Sequence, residues 1–290
     1  MKRALRQSSL KTYLFCPRSY QLRFLEDTPP QFRNSKALFG SAIHELIRQM
    51  HAGDWEMDIA GAYLQVFEDL EHGEEGEIPI RWKEEAKERA LFEEEAVAML
   101  TGYREKSYNR DAEVLLAEAP FTLAVGKQVF TGTVDQVRKN PDGTIGLVDF
   151  KTSRFAVNQA FLDVDVQMSL YAAAMLNGAF RTDEGLKMFK ILPDRCTWYH
   201  LRHHIPYKRK TGSAQAGDER GDHRIVTRRT EADLEEFFED VRMIAEAIDR
   251  GLFPKNPNQM HCGFCAYGGA CGMAHLAEPT NLNLKEADFA

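Results

Sequence analysis

The sequence predicts a mixed α/β fold, a central sheet flanked by helices with helical elaboration ahead of it and a cysteine cluster behind it. Three observations predict it: helical periodicity through most of the first 110 residues, a group of alternating strand-like segments after them, and three closely spaced cysteines near the end. Ser8 or Ser9 can cap a helix running to about Glu26, and a second helix fits 37–51. Helical patterns fill much of 56–109. Strands follow at roughly 113–124, 128–139 and 144–152, the first pair joined through a glycine turn and the second through Asn140-Pro141-Asp142-Gly143. A helix at about 161–177 precedes strand-like runs at 186–192 and 196–204, and a last helix spans 231–250. The chain of 290 residues reads as one domain: a mainly helical part at 1–110, a core at 111–205, a basic loop at 206–229 and a C-terminal helix with its tail at 230–275.

With 43% hydrophobic and 28% charged residues the composition is that of an ordinary globular chain, able to bury a core without staples. No apolar run approaches the ~20 residues that span a bilayer, and the first residues lack an apolar signal segment, so no membrane association and a cytoplasmic location are expected. The net charge of −7 argues against a uniformly basic nucleic-acid coat but leaves room for patches. Residues 1–25 carry six basic side chains and no acid, and 202–229 carry eight against three acids. Both are candidate phosphate contacts, the second equally a plain surface excursion. The stretch 68–95, with twelve acids against four bases, reads as a solvated helix face.

The chemistry lies in GTVDQVRKNPDGTIGLVDFKTS, residues 132–153. Alternation along a strand puts Asp149 and Lys151 on one face and Val148 and Phe150 on the other, buried one. Asp135 lies across the hairpin, in register to approach Asp149. Neighbouring carboxylates repel unless a cation sits between them, and oxygen ligands suit Mg²⁺ or Mn²⁺. A lysine there can orient water or stabilise negative charge developing on a phosphodiester. Gln167 and Tyr171, spaced i,i+4, share a helix face, and His44 sits beside Ile43, Leu46 and Ile47.

The set Gly40-x3-His44, Gly132-x2-Asp135, Asp149-x-Lys151 and Gln167-x3-Tyr171 resembles the PD-(D/E)XK nucleases, in particular their RecB-like branch, with Val134 standing where the family name has proline. The resemblance implies a restriction-endonuclease-like core and a metal held by His44, Asp135, Asp149 and the main-chain carbonyl of Phe150. It further implies that Lys151 is the catalytic lysine, that Gln167 and Tyr171 line the DNA side, and that Glu118 fills the acidic position preceding the hairpin.

Of five cysteines, Cys262, Cys265 and Cys271 form C-x2-C-x5-C, a spacing that brings thiolates to one metal centre. Cys16 and Cys196 are the candidates for a fourth ligand, and coordination chemistry alone allows zinc or iron–sulfur. The ordered set Cys16, Cys262, Cys265 and Cys271 resembles the iron–sulfur staple of the AddB nuclease domain and of the CRISPR-associated exonuclease. That resemblance implies a [4Fe–4S] cluster tying the chain ends together, with Cys196 outside it. The activity implied is a metal-dependent deoxyribonuclease, exonuclease before endonuclease, acting on single-stranded DNA or free ends in DNA repair, recombination or CRISPR adaptation. A helicase or a CRISPR integrase is the implied partner. Two alternatives stand beside it: a DNA-binding or scaffolding subunit whose cleavage depends on a partner, and a zinc-stapled protein without catalysis. No G-x4-G-K-[ST] is present, so the chain carries no P-loop motor.

Overall fold

The computed structural model describes residues 4–73, 77–155, 157–205, 224–257 and 262–273. In chain order the elements begin with β1 (Leu5–Arg6), α1 (Gln7–Phe15), α2 (Pro17–Tyr20) running into a π-helical turn at Gln21–Leu25, β2 (Arg33–Asn34), α3 (Ser35–His51), α4 (Ile59–Glu71), β3 (Ile80–Arg81), α5 (Glu85–Glu105) and α6 (Ser107–Arg110). They continue with β4 (Glu113–Val125), β5 (Gln128–Lys139), β6 (Ile145–Lys151), α7 (Gln159–Asp163), α8 (Val166–Asn177), β7 (Ala179–Thr182), β8 (Gly185–Lys187) and β9 (Arg195–His200). A 3₁₀ turn at Leu201–His204, β10 (Arg224–Thr227), α9 (Glu231–Asp249) and α10 (Gly268–Cys271) complete the described elements.

The chain divides into two compact units where the sequence reads as one domain. The larger holds residues 1–7, 34–77 and 82–238, and the smaller holds 8–33, 78–81 and 239–290.

In the larger unit the sheet runs β10-β9-β6-β5-β4-β7-β8, with β1 added beside β5. It is mixed: β4–β5 and β5–β6 are antiparallel hairpins, whereas β6 and β9 are parallel. The β5–β6 turn follows from its residues. Gly143 adopts φ +83°, its N–H donates to the Asn140 carbonyl at 2.8 Å, and the Asp142 carboxylate accepts from Thr144 N–H at 3.0 Å. Val148 and Phe150 enter a core with Phe39, Ile43, Leu46, Phe92, Met99 and Tyr103 from α3 and α5. Helix α8 is buried from Gln167 through Met175, so it is embedded rather than amphipathic.

Several boundaries differ from the sequence reading, each for a local reason. The helix expected over 8–26 breaks at Cys16, which is extended (φ −157°, ψ 104°) because a following proline disfavours the helical conformation. The helix expected at 161–177 splits at Val164, and α8 restarts under Asp165, whose carboxylate accepts from Gln167 N–H (2.9 Å) and Met168 N–H (3.0 Å). The run 186–192 contributes only the second strand of the β7–β8 hairpin, and 196–204 changes from strand to 3₁₀ turn after His200. Within the expected basic loop, 206–223 lies outside the described residues, while 224–227 forms β10 against β9.

In the smaller unit the chain's early and late segments are stitched together. Arg18 N–H donates to the Pro254 carbonyl (3.3 Å), Asn256 Nδ2 to the Phe15 carbonyl (2.8 Å), and Gln31 N–H to the Ala266 carbonyl (2.8 Å). Tyr13 donates to the Leu252 carbonyl (2.8 Å), and the rings of Tyr20 and Phe253 stack.

His51 gives the larger unit a pH signature. Its Nε2 lies 2.7 Å from the Tyr103 hydroxyl, and burial, with the Arg138 guanidinium adding to it, depresses its pKa to about 4. Between pH 6.5 and 4 the unfolded chain binds a proton that the fold excludes, so this contribution is full above pH 6.5 and lost as pH falls through 4. Between pH 7 and 5 the wild type is expected to lose ~2 kcal/mol more than a His51→Gln variant by urea unfolding. Equal losses would remove the assignment.

Candidate active site

The site is built where the β5–β6 ladder ends. The last registered pair is Gln136 with Val148, and the same register sets Asp135 opposite Asp149. Instead of a further rung, the Asp135 carboxylate accepts from the Phe150 N–H at 2.7 Å. On the other side of β5, a bulge in β4 between Val114 and Leu116 shifts the pairing by one residue. In the shifted frame Glu118 falls between Ala117, paired with Gln136, and Ala119, paired with Val134, and so lies opposite Asp135. Glu118 also adopts φ +44°, costly for a side-chain-bearing residue in mid-strand and the kind of strain that collects at functional sites.

Helix α3 supplies His44. Asn34 caps this helix by accepting from Lys36 N–H at 2.9 Å, and Gly40 lets it approach the end of β6, since a Cβ there would meet Thr152 Oγ1 at 3.2 Å. His44 Nδ1 lies 3.2 Å from Glu118 Oε1 and 3.5 Å from Asp135 Oδ2, and Nε2 lies 3.0 Å from the Phe150 carbonyl. Both nitrogens face acceptors, so the ring is a doubly donating imidazolium. Burial opposes the charge, but Asp135, Glu118 and Asp149 outweigh it and raise the pKa to about 9.

Among the described residues, His44, Glu118 and Asp135 each place a ligand atom within 4.8 Å of the others. Asp149 is held beside them: Lys151 Nζ lies 2.6 Å from one of its oxygens, and Gln167 Nε2 donates to the other at 2.6 Å. Burial pushes the Asp149 carboxyl up to about 6 against the pull of Lys151, and burial likewise raises Asp135. Lys151, though buried, is raised by Asp149 and Asp135 and stays an ammonium. The carboxylates fit a hard divalent cation; in its absence the His44 imidazolium supplies positive charge among them, and the ring becomes a ligand on losing a proton.

Gln167 and Tyr171 were expected to line the DNA side. Gln167 does line the cleft beside the site, but Tyr171 is buried behind it. The Tyr171 hydroxyl donates to the Thr133 carbonyl at 2.6 Å and lies 2.8 Å from Gln167 Nε2, which anchors the amide that holds Asp149. The pair therefore positions a carboxylate. Cys196 is buried and its thiol is pushed up to about 12 by burial. Cys16, Cys262, Cys265 and Cys271 all lie in the smaller unit, half-buried and outside any disulfide. Burial raises the Cys265 thiol, and Cys16 and Cys262 are close enough to add to that.

Three of the four described arginines of the basic segment 202–229 are committed to structure, while Arg228 is exposed. Arg202 pairs with Glu95 through both terminal nitrogens (2.5 and 2.6 Å), Arg224 stacks on Tyr108, and Arg229 is buried, donating to Ser169 and the Leu162 carbonyl. The sequence reading missed two cations that line the cleft, Lys36 in the first turn of α3 and Arg154 in the turn after β6. An isolated charge carries no periodic signal.

The cleft measures about 1160 Å³ and reaches His44, Glu118, Asp135, Asp149 and Lys151. Among the described residues no helix is long and apolar enough to cross a membrane. No curated protein matches the chain. Among solved structures, one described as a crystal structure of SSO0001 is similar at 13% identity, covering 91% of this chain and 94% of its own, with a TM-score of 0.29. Residues 4–272 match the family model described as the PD-(D/E)XK nuclease superfamily. The chain therefore belongs to the PD-(D/E)XK nuclease superfamily, a membership that implies a nuclease dependent on a divalent metal.

Proposed function

We propose that the protein is a Mg²⁺- or Mn²⁺-dependent deoxyribonuclease of the RecB-like branch, favouring exonucleolytic attack on single-stranded or free-ended DNA. The observation that carries this is the convergence of His44, Glu118 and Asp135 beside the Asp149–Lys151 pair at the floor of one cleft. His44, once it gives up a proton to the incoming metal, would hold the cation with Asp135, Asp149 and the Phe150 carbonyl, with Glu118 as a further carboxylate. A divalent metal there supplies Lewis-acid polarisation of the scissile phosphate. Lys151 offers a fixed ammonium where negative charge grows on the phosphoryl oxygens. Gln167, braced by Tyr171, keeps the Asp149 carboxylate from rotating.

The four cysteines of the smaller unit are assigned to a [4Fe–4S] cluster. In support, all four lie in the smaller unit, and Cys16 and Cys262 are close enough to Cys265 to act on its thiol. Joining Cys16 to the C-terminal cysteines would reinforce the stitching between early and late segments, so cluster binding would add to folding energy. A cytoplasmic role in DNA repair, recombination or CRISPR adaptation, beside a helicase or an integrase, goes with this assignment.

End-labelled single-stranded DNA should be digested with added Mn²⁺ by the wild type, and at least ~10²-fold more slowly by Lys151→Ala. Equal digestion by the two would remove the role of Lys151. Anaerobically purified protein should be brown, with broad absorption near ~400 nm, and the colour should be lost in Cys265→Ser. A colourless protein carrying zinc would replace the cluster assignment.

A further inference from the structure

The segment leaving the catalytic strand is pinned from both sides of its backbone. Beyond Lys151, the Thr152 carbonyl accepts from Arg202 Nε at 2.7 Å, and the Ser153 carbonyl accepts from His200 Nε2 at 2.6 Å. Ser153 Oγ then donates to the Phe155 carbonyl at 2.9 Å, closing a tight turn. Arg202 is itself locked by Glu95, and His200 is buried against Trp198. This scaffold presents Arg154 and Phe155 to the cleft, with the Phe155 side of the turn 61% exposed. Exposed aromatics are common on protein surfaces. This one is set on a rigid turn four residues from the catalytic lysine. Lys36 and Arg154, which line the same cleft, have no ion-pair partner among the described residues.

We propose that Phe155 is a stacking platform for an unpaired base, with Arg154 and Lys36 holding the adjoining phosphates, and that this platform makes the cleft select single strands. The inference rests on the nuclease reading and adds the specificity-determining residue to it. An aromatic face gains by stacking on any base, whatever the sequence, provided the base is free. Inside a duplex both faces of each base are already covered, so Phe155 gains nothing there. The two cations bring attraction that weakens with salt and does not distinguish bases.

Binding measured in EDTA tests this apart from catalysis. By fluorescence anisotropy, a single-stranded thymidine oligonucleotide should bind Phe155→Ala on the order of tenfold more weakly than wild type, the size of one base–aromatic stack. Phe155→Trp should restore the affinity, and Phe161→Ala, an exposed phenylalanine that does not line the cleft, should leave it unchanged. An oligonucleotide lacking its bases should bind wild type and Phe155→Ala alike, as should a blunt duplex. Lys36→Ala should lower the salt slope on single strands by about 0.7. Unchanged thymidine-strand affinity in Phe155→Ala, or an equal loss on duplex and baseless strands, overturns the platform. Failure of the nuclease reading would show separately, as a wild type that discriminates in EDTA yet digests nothing with Mn²⁺.

Discussion

Asp149→Asn is expected to melt above the wild type at pH 7.5 without added metal, and to digest DNA ~10³-fold or more slowly when Mn²⁺ is supplied. The two effects share one cause. Asp149 is almost fully buried, and its carboxyl is raised to about 6 because burial outweighs the help of Lys151 and Gln167. A raised acid favours the fold in its protonated form, so stability is highest below the ordinary carboxylate pKa and falls as pH rises through about 6. At pH 7.5 that penalty is fully present, and a neutral isostere relieves it. Added Mn²⁺ should narrow the gap, because a ligand that binds only the folded wild type stabilises it by mass action, ~2.7 kcal/mol at a hundred times its dissociation constant. A variant that melts below wild type, or that gains as much from Mn²⁺, would show that Asp149 is a structural partner of Lys151 and nothing more.

Glu95→Gln is expected to be the most damaging substitution remote from the chemistry. Glu95 and Arg202 form a bidentate pair that is nearly withdrawn from water, and removing one partner strands the other. The expected cost is ~3 kcal/mol, a fall of ~6 °C or more by thermal melt. Replacing both residues with leucine should recover most of that loss, since burying neither charge avoids both desolvation penalties. The double variant nevertheless lacks the Arg202 donor to Thr152, so single-strand binding should stay weak after stability returns. Full recovery of binding along with stability would refute the pinning of the turn by Arg202.

What could be read from the residues was what lies close in the chain. The alternation through β4, β5 and β6 and the Asn140–Gly143 turn place their strands within a residue or two of the structure. The spacing of Asp135, Asp149 and Lys151 follows from that hairpin register. Other features depend on partners the local pattern does not name. Glu118 reaches His44 only through a one-residue bulge and a left-handed backbone, neither of which leaves a trace in apolar periodicity. Arg224 reads as part of a basic loop, yet its stretch pairs with β9 and its guanidinium lies over Tyr108. Glu95 reads as one acid among many on a solvated helix, and only the fold brings it to Arg202. Tyr171 reads, by resemblance, as a wall of the DNA side, because helical spacing alone cannot tell a cleft wall from the layer behind it.

The parallel pairing of β6 with β9 has a consequence for how the molecule is made. Asp149 aligns with Trp198 and Lys151 with His200, so the strand bearing both charges lacks its second neighbour until β9 has left the ribosome. Pairing across such an intervening stretch is slow to form relative to a hairpin. A nascent chain shorter than about Arg195 thus carries the aspartates and the lysine without the frame that aims them, and synthesis itself delays the appearance of a cutting edge.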